Sequence, residues 1–303
     1  MGASTFIILA IPVFLALIVI ERAIVRARGN SDPCWRDTRT SLLLGFGAVT
    51  IALFSDPLLA VSNFIHHFAL VDIGYGFWAF LICFVLADLT YYIFHRSAHA
   101  VRWFWASHVV HHSSEHYNLS TAVRQSWTGL FSLDLVFRLP LFFIGFPPPM
   151  ILLCIGAEKL YQFWIHTAVI ARLPRWFEAV MNTPGHHRVH HATNPRYLDR
   201  NYGAVFIVWD RLFGTFEAEH PEDVPRYGLT TPIGSFNVFH AVFHEWRGIV
   251  RDVATAPGFA NKLGYVWRAP GWSHDGSRDT AADLRSRWCR GAAEQPARGA
   301  CAK

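Results

Sequence analysis

Between Asp88 and Tyr117 the chain reads DLTYYIFHRSAHAVRWFWASHVVHHSSEHY and carries six histidines. His95 and His99 are four residues apart, and His108, His111 and His112 stand at i, i+3 and i+4, so on helices each set shares one face. Downstream, NTPGHHRVHH repeats the second spacing with His187, His190 and His191. Imidazoles at chelating spacing are metal ligands, and imidazole suits zinc, copper, iron and nickel alike, so residue type leaves the metal open. Number narrows it. A structural zinc takes about four ligands and a catalytic zinc about three, whereas this chain offers eight patterned histidines, with His166 and His186 as further candidates. Two metals with several imidazoles each is the economical arrangement. His66 and His67 lack a third partner and read as interfacial, and His116, His220, His240, His244 and His274 lack chelating spacing.

Other chemistries lack their parts. There is no H-E-x-x-H, because Trp246, Arg247 and Gly248 follow His244 and Glu245, and no G-x-S-x-G elbow. Gly45 and Gly47 lie in an apolar run without the third glycine of a dinucleotide turn. Reducing equivalents for redox chemistry must therefore come from a separate donor. Two rival readings stay open: a histidine-rich membrane protein that binds or transports metal, and a zinc-dependent membrane hydrolase.

The elements that must position these residues are apolar. Of 303 residues, 52% are hydrophobic, 15% aromatic and only 16% charged, a composition that favours a membrane enzyme. The net charge of +5 is scattered among apolar runs, which points to anionic lipid headgroups and away from nucleic acid. Residues 5–20 form an apolar anchor followed by Glu21, Arg22, Arg26 and Arg28, and this basic flank predicts a cytoplasmic side. A second apolar stretch, 41–70, is interrupted by Asp56 and Pro57; a third, 74–94, is long enough to span and delivers His95 to the membrane surface. On that third helix Asp88 shares a stripe with Tyr92, His95 and His99, and a buried carboxylate there predicts a hydrogen bond from an imidazole N–H. Runs 127–146 and 150–165, separated by Pro147, Pro148 and Pro149, predict a helical hairpin with the prolines at its tip. On its arms Asp134 and Arg138 are spaced to pair, and Glu158 and Lys159 are placed to line an internal cavity. By this count the histidine groups and His166 return to the face of the basic flank.

The expected fold is an all-α integral membrane protein with about four to five transmembrane or re-entrant helices and a cytoplasmic-face helical domain holding a histidine-rich dimetal centre. It divides into an N-terminal anchor and basic flank (1–40), a catalytic membrane domain (41–235), and a C-terminal amphipathic helix with a polar, mobile tail (236–303), the tail beginning near Arg278.

The order H-x-x-x-H (His95, His99), H-x-x-H-H (His108, His111, His112) and H-x-x-H-H (His187, His190, His191) resembles the fatty acid hydroxylase / sterol desaturase superfamily. HHSSEHYNLSTAVRQS, YQFWIHT, NTPGHHRVHHATNPRYLDRNYGAVFIVWDRLFGTF and YGLTTPIGSFN are similar to its alkylglycerol monooxygenase branch and bacterial relatives, over roughly residues 75–235. The resemblance implies a membrane-embedded di-iron centre that uses O2 to hydroxylate or desaturate a C–H bond of a lipid or sterol-like substrate. It implies electrons from a redox partner, and a place in the inner membrane of a bacterium or the endoplasmic reticulum of a eukaryote. Asp88, Asn118 and Asn182 are expected to support the ligands. Arg124, Asn194, Asn201, Tyr202 and Asp210 fall in the matching motifs as further polar candidates, with helix capping or turn formation the equal alternative for each. One departure stands out: the branch carries glutamate directly after the second histidine of the first motif, where this chain has Ala100. The resemblance therefore extends to the metal centre and leaves ether-lipid cleavage and the use of tetrahydrobiopterin open.

Overall fold

A computed structural model describes residues 3–29, 34–54 and 58–293, and these are all-helical: no strand occurs among them, only isolated bridges from Met181 to Phe206 and from Ala192 to Tyr227. Helices α1 (Ala3–Ala27), α2 (Trp35–Phe54) and α3 (Leu58–His66) come first. Asp56 and Pro57, expected to interrupt the second apolar stretch, lie outside the described residues.

Helix α4 (Phe77–Ala100) is the one helix among the described residues long and apolar enough to cross a membrane. At 1.5 Å per residue it reaches about 36 Å, beyond a hydrocarbon core of about 30 Å. It stops where Val101 turns extended, with φ of −123°, and the chain restarts as α5 (Arg102–His112), folded back on the end of α4. This break matters for the site, because it sets the histidines of α5 against those of α4.

The run 127–146 is not one helical arm. It holds a 3-10 turn (Gly129–Ser132), then Leu133 at φ 56°, and only then a helix, which follows the short α6 (Leu119–Ala122) in order as α7 (Asp134–Ile144). Its 11 residues span only about 16 Å. Of the three prolines only Pro147 lies in the tip of the hairpin, between Ile144 and Pro148. The turn is made by Gly145 at φ 112°, where a Cβ would lie 1.8 Å from the Val71 carbonyl oxygen. Pro148 instead opens α8 (Pro148–Ile165), at a position whose N–H would have no helical partner. Where α4, α7 and α8 meet, Cys83, Ala87, Leu141, Phe142, Ile151 and Cys154 form a buried core.

Into that core projects Arg138. It donates to Glu158 Oε2 at 3.1 Å, Asp134 Oδ1 at 3.4 Å, Thr90 Oγ1 at 3.0 Å and the Ala87 carbonyl at 2.5 Å. Glu158 is thus closed into an ion pair within that core.

The rest comprises α9 (Arg175–Val180), α10 (Pro184–His190), α11 (Val208–Leu212), α12 (Val238–Thr255), α13 (Phe259–Trp267) and α14 (Ala281–Ala293), with irregular chain on either side of α11. Arg102 ties α5 to α12 through Glu245 at 2.6 Å and Asp252 at 2.7 Å. The C-terminal stretch differs from expectation: Arg278 is held by Asp252 at 2.6 Å and 281–293 is helical, while 294–303 lie outside the described residues.

Removing Arg138 alone leaves a buried, unpaired Glu158. Arg138→Met should therefore cost about 3–5 kcal/mol of stability, and adding Glu158→Leu should recover a large part of it. Unfolding in mild detergent measures both; equal losses in the single and double variants would contradict the pairing.

Candidate metal centre

Nine histidines from four places converge as two groups. His95 and His99 from the end of α4, His108 and His112 from α5, and His190 from α10 form the first; His111 from α5, His166 at the end of α8, His187 from α10 and His191 just beyond it form the second. In each group one ligand atom per residue lies within 4.8 Å of every other. Adjacent residues on a helix point about 100° apart, which sends His111 and His112, and likewise His190 and His191, to different groups. The groups adjoin: the rings of His112 and His191 stack at 4.4 Å, and those of His187 and His190 at 5.1 Å.

Hydrogen bonds on the far side of the rings fix what the near side offers. Nδ1 donates to the carbonyl of Tyr202 from His95 (2.7 Å), of Gln162 from His166 (2.6 Å), of Arg200 from His190 (2.9 Å) and of Arg124 from His111 (3.3 Å), and to Asp199 Oδ1 from His99 (3.3 Å). A carbonyl only accepts, so in a neutral ring the proton sits on Nδ1 and Nε2 carries a bare lone pair. His166 Nε2 faces His111 Nε2 at 3.1 Å with both protons so committed. Nearby, His187 Nε2 is 2.9 Å from His166 Nε2 and 3.2 Å from His191 Nε2; in the first group His108 Nε2 is 3.0 Å from His95 Nε2 and 3.1 Å from His112 Nε2. Ligands about 2.1 Å from a metal and at right angles are about 3.0 Å apart, so the spacing matches a shared cation. His99 Nε2 and His190 Nε2 are buried without a hydrogen-bond partner, as ligands lacking their metal would be. Five of the nine rings are anchored in this way, while His187 Nδ1 is buried and unpartnered.

Burial, then repulsion among neighbouring imidazoles, holds His108, His112, His187, His190 and His191 well below the usual histidine range. Burial pushes His111 down to about 4. These six rings are therefore neutral, the form that ligates.

The loop 199–206 supplies two of the far-side carbonyls. Asp199 and Asn201 both adopt positive φ, 54° and 56°, a conformation that Asp and Asn tolerate best after glycine. They flank Arg200 and precede Tyr202, whose carbonyls receive His190 and His95. Asp88 does not accept from an imidazole, contrary to expectation; it accepts from Val205 N at 2.8 Å, Phe206 N at 3.2 Å and Trp209 Nε1 at 2.8 Å. Asp210 clamps the same loop through Tyr202 N and Gly203 N, both at 2.8 Å. Asn182 donates to the Gly203 carbonyl, again holding the loop and not a ring. Asn118 is a cap, accepting from Ser120 N at 3.0 Å at the start of α6. Asn194 binds Asp223 and Arg226 N, and Asn201 donates to the His186 and Glu217 carbonyls. Buried Arg124 donates to Asp37 and Ser41 while its carbonyl receives His111. His186 joins neither group.

Sequence reasoning missed Asp199 and the carbonyls of Gln162, Arg124, Arg200 and Tyr202. The carbonyls leave no signature, since every residue has one. Asp199 lies in a Pro-, Asp- and Asn-rich turn where a structural role is the ordinary reading.

Residues 80–215 match the fatty acid hydroxylase family. The chain is 45% identical over 196 residues to an alkylglycerol monooxygenase of Danio rerio, covering 65% of this chain and 43% of that protein. It is 39% identical over 267 residues to the Homo sapiens alkylglycerol monooxygenase (87% and 59%), and 30% identical over 155 residues to the ornithine lipid hydroxylase OlsE of Rhizobium tropici (48% and 44%). The chain thus spans about half the length of the curated relatives it matches. No solved structure matches it.

Neutral burial makes a pH prediction for metal-free protein. His111 and His186 are pushed down to about 4 when folded, against about 6.5 in an unfolded chain. Between those values the unfolded state binds protons that the folded state does not, so stability should fall as pH drops from about 6.5 toward 4. Thermal unfolding of chelator-treated protein at pH 7.5 and pH 5 checks this; a higher melting temperature at pH 5 would contradict it.

Proposed function

We propose, from the premise that this chain belongs to the fatty acid hydroxylase / sterol desaturase superfamily, that it is an O2-dependent di-iron oxidoreductase acting on an unactivated C–H bond of a membrane lipid or sterol-like molecule. The observation that carries the reading is the division of nine imidazoles, seven buried and two (His108 and His111) half-buried, into groups of five and four. One iron would be held by His95, His99, His108, His112 and His190, and the other by His111, His166, His187 and His191. Bound there, the two irons supply the reductive activation of O2, with electrons from a separate redox partner. The chain's share is to hold the lone pairs inward, keep water from the centre and present one carbon. The relatives are named as monooxygenases and hydroxylases, which favours hydroxylation over desaturation.

Ala100, where the branch carries glutamate, is not one of the proposed ligands. It is exposed at the end of α4 while its neighbour His99 is buried, so a glutamate there would face away from both groups. Ether-lipid cleavage with tetrahydrobiopterin is accordingly not carried over.

Membrane embedding is supported by apolar side chains left exposed along the helices, among them Leu9, Val13 and Val19 on α1, Phe46 and Leu53 on α2, and Trp78, Ile82 and Ile93 on α4. With the α7–α8 pair we read these as four to five spanning or re-entrant elements, α1 belonging to the N-terminal anchor (1–40) and the later ones to a catalytic unit of residues 41–235. The basic flank favours a cytoplasmic metal centre, and Arg28 donating to the Val169 carbonyl at 3.3 Å, three residues past His166, supports a common face. The membrane would be the inner one in a bacterium or the endoplasmic reticulum in a eukaryote. A transport path would need ionisable groups strung across the spans, whereas these histidines gather at the helix ends.

Protein purified in mild detergent should contain two irons per chain. His108→Ala should lower iron content and abolish oxidation while helicity is kept, as read by metal analysis, circular dichroism and mass spectrometry of lipids gaining one oxygen under air. Active protein holding zinc, or full activity without O2, would overturn the proposal.

A further inference from the structure

His186 is the histidine of NTPGHHRVHH that joins neither metal group, yet it is only 6% exposed. It lines a cavity of about 340 Å³, within the usual range for ligand sites, between α9, the start of α10 and α11. The wall also carries three guanidinium groups, Arg172, Arg175 and Arg211, and two carboxylates, Glu178 and Glu219.

Both carboxylates are already engaged. Glu219 is gripped by Arg188 at 2.6 and 3.0 Å, and Glu178 accepts from Leu173 N at 2.9 Å. Two of the arginines are fixed in place with donors to spare. Arg211 spends Nε and one NH2 proton on the Ala179 and Glu178 carbonyls, each at 3.1 Å, and stacks on Phe216 at 3.8 Å; Arg172 spends one donor on the Glu219 carbonyl at 2.9 Å. Each guanidinium has five N–H groups. Counting Arg188, four guanidinium charges meet two carboxylates, an excess of two positive charges around one opening.

We propose that this cavity is a binding site for a phosphate-class oxyanion, borne either by a lipid headgroup or by a small soluble phosphate compound. Planar guanidinium forks match tetrahedral oxyanions, and several held arms lower the entropy of ordering them. The exposed apolar side chains of Trp176, Val180 and Leu212 lie on the two helices that border the opening. The site stands one residue from His187, so its occupant would sit beside the metal centre without being a ligand of it. The inference does not depend on the reaction proposed above.

The test is calorimetric titration of full-length protein in detergent with inorganic phosphate, at constant ionic strength and with chloride as control. Wild-type protein should bind about one phosphate. Arg175→Gln and Arg211→Gln should each weaken binding at least about tenfold. Arg175 makes no hydrogen bond among the described residues, so its variant should keep the wild-type melting temperature in the absence of phosphate. Repetition in nanodiscs separates the sources: loss of phosphate binding when phosphatidylglycerol replaces phosphatidylcholine supports a lipid headgroup, and undiminished binding supports a soluble phosphate compound. No phosphate binding by wild-type protein, or binding unchanged in both variants, would overturn the proposal.

Discussion

Two imidazole lone pairs 3.1 Å apart, His111 Nε2 against His166 Nε2, repel unless a cation lies between them. Both protons are committed to backbone carbonyls on the far side, and burial keeps a second proton off His111. The rest of the site repeats the crowding, with rings at ligand spacing and the outer nitrogens of His95, His99 and His190 also tied down. A buried polar group without a partner is costly, so the metal-free fold carries a cost that metal binding would offset. Binding and folding are thus coupled in the way expected of a site that the unfolded chain does not possess.

The scaffold serves that constraint. Val101 breaks a membrane-length helix just past His99, so α5 can fold back and bring His108 and His112 into one group with His95. Asp88, Asp210 and Asn182 converge on the loop 202–206 from α4, α11 and the approach to α10, and so fix the carbonyl that receives His95. The polar residues around the centre act mainly on backbone and through it on the rings, with Asp199, which accepts directly from His99, the exception. Arg138 does the equivalent work among α4, α7 and α8, where it satisfies acceptors from all three helices.

Much of the site was legible because ligand spacing is a property of sequence: i, i+3, i+4 histidines are chelating on any helix. The helical class followed from long apolar runs. The division into two groups was harder to read, since the motifs suggest one group each, whereas helical rotation sends His111 and His112 to opposite sides. Asp88 was misread because a carboxylate on a ligand stripe looks like a ring partner, while the groups that bind it are backbone N–H donors more than a hundred residues away. Of the prolines at 147–149, read as the tip, only Pro147 lies in it, because a helix start tolerates proline as well as a turn does. Arg278 and the helix 281–293 looked like a polar tail because the buried partner that holds Arg278, Asp252, comes from a distant element.

The most direct measurement is an anomalous difference map of the purified, iron-loaded protein, recorded at the iron absorption edge. Two peaks are predicted, one enclosed by His95, His99, His108, His112 and His190 and the other by His111, His166, His187 and His191. A single peak, or iron outside these nine residues, would contradict the account.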